Sequence, residues 1–566
     1  MKKNIVIALF LSLVCQGVMA QPKWVEKAKR AVFSVITYDK DDKMLNSGNG
    51  FFVTEDGVAL SDYTLFKGAK RAVIVNYEGE QMPVEAIMGA DDMYDVVKFR
   101  VAITGKSVPA LALAQTPPAV GTDVCLLPYS TQKSRTYTAG KVKAIDKVTD
   151  NYSYYTLTLK LADKRVSCPL VTMEGEVFAL AQKASGQDTA TICYGVDANY
   201  VMAQKITALS YSDAALKDIG IKKALPDTEE EALVFLFMAS SQLSADKYMT
   251  VLQDFINQYP DSPDGYMRRA NQRILMSKDE NSLDRVSDDL DKALEVAQQR
   301  DDVYYGRAKL ISAFVIENPD RIYADWSLDK AVEEIREAIK VRPLPIYTQT
   351  EGDILFAKGD YPAALEAYDE VNHSELVSPA TFYTTAKIKE AMKAPSEEVL
   401  ALLDSCVVRF SKPYTQEAAP YLFARAQAYM VANKPRQAVL DYDAYYDAVK
   451  GNVNDVFYYY REQAALKSRQ YQRALDDMES AIALNPKDLT YRAELAVVNI
   501  RVGRNEEAVK VLQEALAIDA SYAEAYRLMG IAQIQMKQKD AACASFAKAK
   551  ELGDPNVDAL IEKHCK

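Results

Sequence analysis

The sequence predicts a multidomain chain: an all-β first half built as two small barrels, then an all-α repeat superhelix. Three observations predict it. Between Trp24 and about Asp213, short apolar and β-branched runs alternate with Gly, Asp and Pro, as in Ala31-Val32-Phe33-Ser34-Val35-Ile36 and Tyr155-Thr156-Leu157-Thr158-Leu159. That alternation is the signature of half-buried strands. After Leu225-Pro226-Asp227, Ala, Leu, Glu, Lys and Tyr recur at helical spacing to the C-terminus. Within that half Ala474, Ala508 and Ala542 stand 34 residues apart, as do Ala481, Ala515 and Ala549, and Met478, Leu512 and Phe546.

Size and composition bound the answer. A chain of 566 residues exceeds one core, and 49% hydrophobic with 26% charged residues is ordinary globular protein. The net charge of -11 excludes a nucleic-acid binder that works through a basic footprint. Residues 1–20 read as a targeting segment: Lys2 and Lys3, an apolar run from Ile5 to Val14, and Val18-Met19-Ala20 as a cleavage site. Cleavage is expected after Ala20, with export to the periplasm or beyond, and no later stretch has the length of a transmembrane helix.

Taking the elements in order, residues 23–213 hold about a dozen strand-like runs, which suit a pair of barrels. Residues 214–227 are expected as a linker, and 228–566 as the repeat array, with room for nine or ten units. The clearest units are 455–488, 489–522 and 523–556. A period of 34 with two small positions and a large apolar one between them resembles the tetratricopeptide repeat. Tyr526, Met529 and Gly530 stand where that family has its aromatic, leucine and glycine, and Pro486 where it has its proline. Gly352, Ala364 and Tyr368, then Ala426, Ala438 and Tyr442, keep the spacing upstream. The resemblance implies a superhelix whose concave face binds a protein or peptide, lined by Tyr459, Gln463, Lys467, Arg501 and Arg527.

The first half resembles the HtrA branch of trypsin-like serine proteases. Gly48-Asn49-Gly50-Phe51-Phe52 and the following Ser61-Asp62-Tyr63-Thr64-Leu65-Phe66 match the family's Gly-Ser-Gly-Phe strand and its histidine-bearing element, with Thr64 in the histidine place. Asp91 to Val97 matches the aspartate element and puts Asp95 at the triad aspartate. Lys164-Arg165-Val166-Ser167-Cys168-Pro169-Leu170 takes the place of Gly-Asn-Ser-Gly-Gly-Pro-Leu, so Val166 sits at the nucleophile. The chain has 2 His, His373 and His564, both in the helical half. Without an imidazole the aspartate has nothing to orient, and Lys164 replaces a glycine of the oxyanion turn. Two substitutes stand nearby: Ser167 with Lys164 as base, or a Cys168 thiolate favoured by Lys164 and Arg165.

Of the cysteines beyond the targeting segment, Cys125, Cys168, Cys193, Cys406, Cys543 and Cys565, none forms a CxxC pair, so no zinc site is expected, nor any other metal or cofactor. Cys168 with Cys193 is the first disulfide to test, against buried free thiols. These readings converge on an exported binding scaffold with an inactive protease-like domain. A divergent serine endopeptidase with a substrate-recruiting array, and a periplasmic chaperone or assembly factor, are the alternatives.

Overall fold

The computed structural model describes residues 23–105, 107–131, 137–184, 191–277 and 283–565; the expected targeting segment, 1–20, lies outside them. The β-rich half forms two closed six-stranded antiparallel barrels. The first is built from β1 (Val32–Tyr38), β2 (Met44–Phe52), β3 (Val58–Ser61), β4 (Arg71–Val75), β5 (Gln81–Asp91) and β6 (Val96–Val101), in the order β1-β2-β3-β6-β5-β4. The second comprises β7 (Asp123–Leu126), β8 (Thr138–Thr149), β9 (Tyr152–Leu157), β10 (Pro169–Thr172), β11 (Val177–Lys183) and β12 (Cys193–Asp197), in the order β10-β11-β12-β9-β8-β7.

Alternation along β1 sends Phe33 and Val35 into the first barrel, where they pack with Phe52, Phe99 and Ile74. Val32 points the other way, into a layer shared by both barrels with Phe51, Leu60, Val171, Val177 and Val196. Gly50 lies at the closest approach of β1 and β2: a Cβ there would meet the Phe33 ring at 2.6 Å and Leu60 O at 2.9 Å. The second barrel is filled by Tyr155, Leu157, Leu170 and Phe178 together with Cys168 and Cys193.

Residues 214–227, expected as a linker, are part of the fold. Leu216, Ile219, Ile221 and Leu225 are buried in the first barrel's core. The backbone bonds from Gly68 N to Asp218 O, Gly220 N to Ala69 O and Ile87 N to Lys222 O hold the segment against the barrel. The same core continues into Phe235 and Leu236 of the helix Glu229–Gln242 and Leu252 and Phe255 of the helix Ala245–Gln258. Compactness accordingly divides the chain at Val296, not at residue 228.

The second unit, 297–566, is a stack of antiparallel helix pairs ending in a short helix, Asp558–His564. Ala474, Met478 and Ala481, and their counterparts one and two periods later, are all 0% exposed. Small residues let the paired helices approach, and the bulky one fills the gap. Gly530 demonstrates how close that approach is: a Cβ there would lie 2.4 Å from the Phe546 ring. Charge also ties the pairs. Arg425 holds Asp441 (2.7 Å) and Arg461 holds Asp477 (2.6 Å), with the carboxylate side chains 9% and 2% exposed.

Of the two readings of the barrel cysteines, the free-thiol one holds: Cys125, Cys168 and Cys193, like Cys406, are buried free thiols, and among the described residues a disulfide joins Cys543 to Cys565. Cys168 and Cys193 lie in the second barrel's apolar interior. The bond instead ties the terminal helix, which buries little of its own surface, to the helix Lys539–Glu551.

Candidate functional site

Of the three places matched to the family's triad, Thr64 and Asp95 are bonded to each other and Val166 lines the cleft between the barrels. Thr64, in the short helix Tyr63–Phe66 after β3, donates its N–H (2.7 Å) and its hydroxyl (2.8 Å) to Asp95 Oδ1. Asp95 reaches it from the turn between β5 and β6, in a left-handed conformation (φ 52°). The aspartate therefore orients the residue in the histidine place, and that residue is a threonine. A hydroxyl with its proton on a carboxylate has no basic nitrogen to offer a nucleophile.

On the opposite wall, the turn carrying Lys164, Val166 and Ser167 is tied to the first barrel. Asn49 Nδ2 donates to Lys164 O (3.0 Å) and Val166 O (2.8 Å), and Ser61 Oγ donates to Asn49 O (2.6 Å). Ser167 adopts the left-handed conformation (φ 63°) at a position where the family has glycine. Its N–H donates to Ala181 O (2.8 Å), its side chain lies near the Asp62 carboxyl, whose ionised form it favours, and the residue is 1% exposed. The group beside Ser167 is thus Asp62, while Lys164 is exposed on the cleft wall.

Asp62 is the group that sequence reasoning missed. Burial pushes its carboxyl up to about 7, and the nearby charge of Asp95 adds to the effect, against Ser167, its own backbone and Ser61, which favour the ionised form. The signal was a carboxylate two residues before the histidine place, directly after the strand Val58–Ser61. The second substitute, Cys168, is corrected outright. It is 0% exposed and burial pushes its thiol up to about 12, so the Arg165 charge does not produce a thiolate near neutral pH. The cleft itself has a volume of about 620 Å³, with Ser34, Ser47, Asn49, Asp62, Tyr129 and Lys164 among its walls.

The five residues expected on the array's binding face separate into two groups. Arg527 is committed internally, to Asp554 (2.9 Å) and Glu524, and only 15% of its side chain is exposed. Gln463 donates to Glu462 (2.8 Å), a buried acid. The Tyr459 ring lies against Tyr491 at 6.2 Å and against Tyr460 at 6.0 Å. Lys467 and Arg501 line clefts at the ends of their helices. Among the described residues, no helix is long and apolar enough to cross a membrane.

Comparisons with known proteins agree with this division. The family profile for the trypsin-like peptidase domain matches residues 48–180, and that for the tetratricopeptide repeat matches residues 465–530. The TPR repeat-containing protein MJ1428 of Methanocaldococcus jannaschii is 24% identical over 258 residues, 42% of this chain and 44% of that protein. The human DnaJ homolog subfamily C member 7 is 29% identical over 105 residues, 18% of this chain and 21% of that protein. The chain thus spans less than half the length of these curated relatives. Among solved structures, the Rv3671c protease from M. tuberculosis, in its active form, is similar at 18% identity and a TM-score of 0.28, over 36% of this chain and 86% of that one. The chain carries a trypsin-like peptidase domain in its N-terminal half and tetratricopeptide repeats in its C-terminal half.

Proposed function

We propose that this protein is an exported protein-binding adaptor whose trypsin-like domain is catalytically inactive and whose repeat array holds a protein partner. One observation carries the reading: the hydroxyl in the nucleophile turn, Ser167, borders the cleft but is only 1% exposed, and it lies beside the buried Asp62. Thr64, bound to Asp95, supplies no base. The turn's own carbonyls are held by Asn49, which locks it in a structural role. Losing a triad costs roughly 10⁶-fold in rate, and nothing around Ser167 replaces the imidazole's shuttling of a proton between nucleophile and leaving group.

Export is supported by the basic, apolar and small-residue order of residues 1–20. The Cys543–Cys565 disulfide suits an oxidising compartment. The test is to incubate the purified chain with a denatured protein substrate and a fluorophosphonate probe. The expected result is neither cleavage nor labelling. Cleavage that disappears in Ser167→Ala would overturn the reading and make the domain an endopeptidase with Asp62 as its base.

A further inference from the structure

In six successive helix pairs of the second unit, the turn from first to second helix has one residue at positive φ: Gly359, Lys393, Asn433, Arg469, Gly503 and Lys537. Stacking places such turns along one edge of the array. The arginines inside the pairs are neutralised, Arg425 by Asp441 and Arg461 by Asp477. The edge is different. Lys434, Arg436, Lys467 and Arg469 come from two successive turns, and none has an ion-pair partner among the described residues. With Gln437 and Ser468 they wall a cleft of about 430 Å³ that no carboxylate lines. Four like charges around one cleft repel one another, and here they gather in a chain of net charge -11.

The surface changes chemistry two repeats on. Arg501, 34 residues after Lys467, lines a second cleft of about 500 Å³ whose other walls include Val497, Ile500, Leu528 and Ile531. The first cleft lies between the helix pairs 419–448 and 455–484, the second between 489–518 and 523–551. With packed helices about 8–10 Å apart, two repeats are on the order of 20 Å, which an extended peptide covers in about six residues. A compact anion would use the basic cleft alone; the apolar cleft two repeats on favours a peptide that uses both.

We propose that this edge docks an extended acidic segment of a partner protein: clustered Asp or Glu side chains enter the basic cleft, and a bulky apolar side chain about six residues away enters the apolar cleft two repeats on. The proposal rests on the array being a partner-binding surface and adds the partner's chemistry.

The experiment is fluorescence anisotropy with the full chain and a fluorescein-labelled peptide containing Glu-Glu-Glu-Ala-Ala-Ala-Ala-Leu-Phe. Binding is expected to weaken by about tenfold in the Arg436→Glu, Lys467→Glu double variant, and to weaken with added salt. It is expected to weaken also when Leu-Phe in the peptide becomes Ser-Ser. Both substituted residues are exposed, and an unchanged melting temperature checks that the fold is kept. The proposal is overturned if the acidic peptide does not bind, if a peptide with Lys in place of Glu binds equally, or if the double variant binds unchanged. Complete competition by inorganic phosphate, or undiminished binding of the Ser-Ser peptide, overturns it in favour of a simple anion site. The adaptor reading fails separately, if the immobilised full chain retains no protein from an envelope extract.

Discussion

Between the barrels, Thr64 gives its N–H and hydroxyl to Asp95, and Ser167 is buried beside Asp62. Along the turn edge of the array, Lys434, Arg436, Lys467 and Arg469 make no ion pair among the described residues. The place where a trypsin-like fold ordinarily keeps reactive groups has had them bonded to or buried against one another. The place with polar groups to spare is a surface made by repetition. Retained fold elements are therefore a poor guide to where this molecule meets its partners; the unpaired groups are the better one.

The sharpest way to break that contrast is inside the array, where arginines are paired. Arg461→Ala leaves Asp477, 2% exposed, without its guanidinium and removes the ring contacts of Arg461 with Phe457 and Tyr446. Stripping a buried carboxylate of its partner costs about 3–5 kcal/mol, readable in urea unfolding. Lys467→Ala on the exposed edge is expected to stay within about 0.5 kcal/mol. Similar costs for the two would erase the distinction between inward and outward cations.

A middle effect is expected at the array's end. The Cys543–Cys565 bond closes a separation of 22 residues, a loop length for which cross-linking contributes about 3 kcal/mol. Cys543→Ser should speed amide hydrogen exchange in residues 558–564 while leaving the barrels unchanged. Unaltered exchange there would mean that the terminal helix is held by Leu560 and Ile561 packing alone.

The smallest effect tests the barrel cleft. Asp62 titrates near about 3.9 in an unfolded chain and at about 7 in the fold. Between those values the folded chain holds the extra proton, so stability is highest below about pH 4, falls as pH rises to about 7, and levels above it. The loss between about pH 5 and 8 is on the order of 2 kcal/mol. Asp62→Asn keeps a polar side chain beside Ser167 and should flatten that slope. A slope unchanged in the variant would place the proton elsewhere.

Much of this was legible in the residues themselves. Strand alternation anticipated the barrels, and the period of 34 anticipated nine side chains that are all 0% exposed. Gap-free matching put Thr64 opposite Asp95, and the two are bonded. The segment 214–227 reads as a linker because the composition changes after Leu225-Pro226-Asp227, yet its apolar residues face one core. The disulfide was sought in the barrel, where both candidate thiols are buried in apolar surroundings. Asp62 could not be paired with Ser167 from spacing, since 105 residues separate them.

The sequence by itself determined the two architectures and the loss of imidazole from the first, because strand and helix periods are local and composition needs no coordinates. Tertiary structure alone decided which polar groups are spent. Asp62 meets Ser167 and Arg461 meets Asp477 only after chain segments far apart are closed onto each other, and the burial that closure brings is what raises the Asp62 carboxyl to about 7. The cations of the turn edge stay free for the complementary reason: repetition stacks their turns side by side at the surface, where no carboxylate of the described chain comes to meet them.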